Sequence, residues 1–93
     1  MKVFISMPMN GKTEEQIREE MEQIKKDFAF SDSEFIDSII PDADKKSDLE
    51  CIAEAIKLLD TADAAFFAKG WENARGCRVE YAVCCNYGIE VYK

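Results

Sequence analysis

The sequence predicts an α/β domain built on a four-stranded parallel sheet. Three observations carry that expectation. Four short apolar runs, at residues 2–6, 34–40, 64–68 and 89–92, alternate with three longer amphipathic stretches. The segments between them are short and rich in glycine, proline and polar residues. Two of the amphipathic stretches open on a capping box, Thr13-Glu14-Glu15-Gln16 and Ser47-Asp48-Leu49-Glu50. Strictly alternating elements imply parallel strands joined by right-handed helical crossovers, with helices on both faces.

Each element has its own signature. Residues 2–6 (KVFIS) form the first strand, and residues 7–12 (MPMNGK) a loop. Thr13 is the N-cap of the first helix, whose apolar stripe is Ile17, Met21, Ile24 and Phe28. Residues 34–40 (EFIDSII) form the second strand, and Pro41 ends it. The second helix starts at Ser47 and presents Leu49, Ile52, Ile56 and Leu59. Residues 64–68 (AAFFA), the most apolar run, read as the central strand. The third helix spans residues 75–87 with Val79, Ala82, Val83 and Tyr87 inward, and Gly88 stops it. Residues 89–92 (IEVY) form the last strand.

Composition narrows the function. The chain has 93 residues, which fits one domain, residues 1–93. Its net charge of −7 argues against nucleic acid and anionic membranes as partners. No apolar run is long enough for a transmembrane helix, and the N-terminus does not read as a signal peptide. The expected location is cytoplasmic. There is no histidine, which removes Ser-His-Asp and Cys-His chemistry. The four cysteines, Cys51, Cys77, Cys84 and Cys85, include no C-x-x-C, and they read as core thiols rather than metal ligands. Cys77, near a helix N-terminus and beside Arg78, is the one redox candidate. No metal and no cofactor are expected.

In a parallel sheet of this kind, ligands bind beyond the carboxyl ends of the strands, where the strand order reverses. Loops 6–13, 40–47 and 69–76 are therefore the candidates. The first nearly matches a P-loop, but Ser6 replaces the first glycine, and Pro8 removes a backbone donor. No strand ends in a magnesium-binding Asp. Gly11, Lys12 and the helix N-terminus retain the means to hold one anionic group. In the third loop, Lys69, Arg75 and Arg78 gather basic charge, and Trp71 either stacks on a base or covers the core edge. Glu80 lies one and a half turns into the third helix, with Gly76 at i−4, which leaves room above the carboxylate. It reads either as a partly dry nucleophile or as an exposed residue paired with arginine.

The residues Ser6-Met7-Pro8-Met9-Asn10-Gly11-Lys12, and residues 63–80 (DAAFFAKGWENARGCRVE), resemble the nucleoside 2-deoxyribosyltransferase-like superfamily. The resemblance is strongest to a branch of small bacterial and phage proteins that share G-W-E-x-A-R-G-C-x-x-E. It implies a compact Rossmann-like (flavodoxin-like) three-layer domain and a homodimer or higher homo-oligomer. It also implies a nucleoside or nucleotide as small-molecule partner. Glu80 takes the position of the glutamate that attacks the anomeric carbon and forms a glycosyl-enzyme, in a retaining double displacement. Ser6, Pro8, Met9, Gly11 and Lys12 then fall beside the sugar and its phosphate. Gly70, Trp71, Glu72, Asn73, Arg75 and Gly76 complete the substrate-binding set. Two departures stand out. Ala55 occupies a position where active members carry Asp, with Glu54 beside it. Only Glu72 approaches the spacing of a second acid, and Asp48 is the alternative; Asp60 and Asp63, at the other end of the sheet, read as structural. The sequence therefore supports N-glycosidic cleavage or (deoxy)ribosyl transfer, with a non-catalytic nucleotide-binding module as the alternative.

Overall fold

A computed structural model describes residues 1–28 and 32–93. Its elements run β1 (Lys2–Ser6), α1 (Glu14–Asp27), β2 (Glu34–Ile36), α2 (Asp48–Asp60), β3 (Ala64–Phe67), α3 (Arg75–Tyr87) and β4 (Glu90–Tyr92). Short 3₁₀ turns at Ala43–Lys45 and Trp71–Asn73 precede α2 and α3. The four strands form one all-parallel sheet in the order β2-β1-β3-β4. From β1 the chain crosses to one edge; from β2 it crosses back over β1 to β3 and on to β4. Right-handed crossovers then put α1 on one face and α2 and α3 on the other.

The core follows that division. On the α1 face, Ile5 and Met7 pack with Ile17 and Met21. On the opposite face, Phe4, Ala65 and Phe67 pack with Ala55 and Leu59 of α2 and Cys84 of α3. Alternation along β1 therefore sends Val3 and Ile5 to α1, and Phe4 and Ser6 to the α2–α3 face. Both expected capping boxes form: Thr13 accepts from the Gln16 amide, and Ser47 from the Glu50 amide.

Four details differ from the sequence reading. The second strand stops at Ile36 rather than residue 40. As an edge strand it has one ladder to hold it, and Asp37 turns to Lys25 of α1 at 3.2 Å. The last strand begins at Glu90, because the Ile89 amide donates to the Cys84 carbonyl in the cap that Gly88 closes at φ 73°. Leu49 is 79% exposed, and Ala55 takes its place in the buried stripe of α2. The third helix is rotated from the expected face. Cys77, Glu80 and Cys84 are its buried residues, whereas Val79 is 39% and Tyr87 80% exposed. Two thiols behave here as small hydrophobes, and the helix places its i, i+3, i+7 stripe on the sheet.

Candidate functional site

The candidate site forms where the sheet reverses order, between the carboxyl ends of β1 and β3. Ser6 ends β1 and lies in register with Phe67 of β3. It is fully buried on the α2–α3 face. From α3, Glu80 points inward and meets it: the Ser6 hydroxyl donates to Glu80 Oε1 at 2.6 Å. Glu80 is 6% exposed. Of the two readings open at the sequence level, the buried carboxyl is the one observed. Arg75 does not pair with it but reaches Asp48 at 2.5 Å. Arg78 donates to the Glu72 carbonyl at 3.0 Å.

Burial dominates the electrostatics. Loss of solvent raises the Glu80 carboxyl to about 7, and the Ser6 hydrogen bond opposes that rise. Burial also raises the Cys77 thiol, which the Ser6 hydroxyl lowers, the Glu80 charge raises and the Lys12 charge lowers. Cys84 is pushed up to about 11 by burial first, then by the charges of Cys85 and Glu80. Ser6, Cys77, Glu80 and Cys84 thus form one electrostatic cluster beneath the loops, within reach of Lys12. Neither buried thiol has the lowered pKa a redox cysteine needs. Among the described residues, no group of three or more Cys, Asp or Glu side chains converges as a metal site.

The loops above the cluster touch each other. Gly70 has φ 90°, and a Cβ there would lie 3.6 Å from Pro8 Cγ. Gly11, at φ 79°, sets the turn before α1. Lys12 pairs with Glu20 at 2.6 Å, so its charge is engaged on the outer side of α1. Gly11, Lys12 and Glu20 line a shallow concavity there with Gln16, Glu19 and Gln23. Met9 packs against the α1-side cluster. Asn73 and Glu72 are exposed.

Gly76 faces α2: a Cβ there would meet Ile52 Cδ1 at 3.8 Å, an ordinary contact distance. Neither proposed second acid reaches Glu80: Asp48 is bound to Arg75, and Glu72 faces solvent. Glu54, beside Ala55, is held by Lys46 at 2.8 Å. Asp63 is structural, as expected; it accepts from the Lys2 amide at 2.8 Å.

Trp71 covers the core edge. Its ring stacks on Tyr81 with centroids 4.4 Å apart and planes 20° apart. Both rings meet Phe67 edge-on, at 5.5 Å and 5.3 Å. Lys93 Nζ lies 5.6 Å from the Trp71 centroid and 5.1 Å from that of Tyr81. The sequence reading did not single out Tyr81, Phe67 or Lys93. The signal available for Tyr81 was its place directly after Glu80; for Lys93 there was none, since β4 alone brings it beside β3.

A family model described as a domain of unknown function (DUF4406) matches residues 1–93. The chain belongs to the DUF4406 family. No curated protein and no solved structure matches it. In this DUF4406 chain, no helix among the described residues is long and apolar enough to cross a membrane.

Proposed function

We propose that this DUF4406 domain cleaves or transfers an N-glycosidic bond, with Glu80 as the nucleophile that takes up the sugar. The observation that carries the reading is a buried carboxyl at the reversal in strand order, held by a hydroxyl from the neighbouring strand at 2.6 Å. The resemblance of its two motifs to the nucleoside 2-deoxyribosyltransferase-like superfamily supports the same assignment. The substrate is a small nucleoside or nucleotide, and the working unit a homodimer or higher homo-oligomer.

The chemistry follows from the geometry. Ser6 fixes Oε1, so the other carboxylate oxygen is the one left to attack the anomeric carbon. The hydrogen bond favours the ionised form that attack requires, and partial dryness raises its reactivity. With a pKa near 7, about half the sites are ionised at neutral pH. The C1′–N bond breaks, an ester forms on Glu80, and water or a second base resolves it with retention. Ser6 is a positioning residue in this scheme.

Among the described residues no second acid stands beside Glu80, which favours one other reading, a pocket that binds a nucleotide without turnover. Free-base release, followed by chromatography with wild type and Glu80→Gln side by side, separates the two. Release by wild type alone supports glycosyl chemistry. No release, with saturable nucleotide binding measured by calorimetry, overturns it in favour of the binding module.

A further inference from the structure

Breaking a nucleosidic bond leaves an electron pair on the base nitrogen. A neutral base must be protonated as it departs, which needs an acid at the site. Among the described residues, Glu80 has one hydrogen-bond partner, Ser6, and no other carboxyl's charge acts on it. Asp48 and Glu54 are held by Arg75 and Lys46, and Glu72 faces solvent. Among the described residues, the site has a nucleophile and no second acid beside it. Phe67, in register with Ser6, meets both rings of the Trp71–Tyr81 stack edge-on. An ammonium already lies against that stack: Lys93 Nζ is 5.1 Å and 5.6 Å from the two centroids. Aromatic faces attract cations through their quadrupole.

Resting on the glycosyl reading above, we propose that the substrate's base carries a fixed positive charge: an N-ribosyl pyridinium or an N7-alkylated purine riboside. Such a base needs no acid. The ionised Glu80 oxygen forms a bond to C1′, the C1′–N bond breaks, and its electron pair neutralises the ring nitrogen. The base departs uncharged and the sugar stays as an ester on Glu80. Water then adds its oxygen to C1′, the ester C–O bond returns its electrons to the carboxylate, and the remaining proton passes to solvent. Trp71 and Tyr81 hold the cationic ring before departure and lose their attraction for it afterwards, which favours release. Lys93 is the tethered cation that the substrate ring displaces.

The test compares paired ribosides on the full chain at pH 8.5, where Glu80 is ionised. Nicotinamide riboside and 3-acetylpyridine riboside are set against adenosine and guanosine, each rate divided by its spontaneous rate in the same buffer. The expected result is a rate enhancement for the cationic pair at least tenfold above that for the neutral pair, lost in Glu80→Gln. Lys93→Ala, a change outside the core, lowers KM for the cationic pair roughly two- to fivefold more than for the neutral pair. Equal or greater enhancement for adenosine and guanosine overturns the cationic-base assignment while the glycosyl reading stands. A Lys93→Ala KM that does not move for the cationic pair overturns the role of the aromatic stack. Silence on all four, with wild type and Glu80→Gln alike, overturns the cationic-base assignment, while release from a nucleotide or a deoxyribonucleoside by wild type alone keeps the glycosyl reading.

Discussion

The carboxyl of Glu80 couples the stability of the fold to pH in a way that one substitution exposes. In the unfolded chain it ionises near 4.5; in the folded protein burial raises that to about 7. The folded state therefore holds the proton more tightly. As pH rises from 4.5 to 7 the unfolded chain loses its proton first, and stability falls across that window. The full difference corresponds to about 3 kcal/mol at pH values above 7, and nothing below 4.5. Glu80→Gln keeps an oxygen to accept from Ser6 and has no charge to desolvate. It is expected to match wild type within about 1 kcal/mol at pH 4.5 and to exceed it by about 2–3 kcal/mol at pH 8.5. Urea unfolding of both proteins at the two pH values measures this. The repulsion within a chain of net charge −7 also varies with pH, but it is common to both proteins and cancels in the difference. A wild-type-to-variant gap that is the same at pH 4.5 and pH 8.5 would refute the burial argument, and with it the account of Glu80 as a partly dry nucleophile.

Other expectations follow from the same contacts. Ser6→Ala removes the hydrogen bond that opposes burial, so the Glu80 carboxyl rises further; the acid limb of base release shifts to higher pH, measured as a pH–rate profile. Leu59→Ala, at a fully buried position between α2 and the sheet, costs about 2–5 kcal/mol of unfolding free energy. Leu49→Ala, at an exposed position on the same helix, changes it by less than about 0.5 kcal/mol, and denaturant titration of the pair tests the corrected stripe. Gly70→Ala finds room for its methyl group but forces φ 90° on a residue with a Cβ. It lowers stability by about 1–2 kcal/mol, read as a fall in thermal midpoint.

The layered sheet was legible because each element carried redundant marks. Capping boxes at Thr13 and Ser47, proline and glycine at the breaks, and clean apolar stripes on α1 and most of α2 agreed with one another. What escaped was decided by tertiary contact. The stripe on α3 was misread because Val79 and Tyr87 look like core residues, while Cys77, Glu80 and Cys84 look like a mixed polar set. Only the docked helix shows which side meets β1 and β3. Glu80 was legible as a position, from the motif spacing, but its hydrogen bond to Ser6 joins residues 74 apart in sequence. The role of Gly76 was invisible for the same reason, since Ile52 reaches it from another helix.

The buried stripe of α3 also sorts the thiols by chemical reactivity. Alkylating reagents attack thiolates, and burial has made thiolates scarce at Cys77 and Cys84. Cys85, one residue further along, lies on the outer surface of the helix, and Cys51 is partly covered with its sulfur turned to the Ala43 carbonyl. A maleimide probe added to the folded protein therefore goes first to Cys85. It places a reporter one turn beyond Tyr81, on the opposite surface of the helix that carries Glu80, where it can register a ligand without standing in its way.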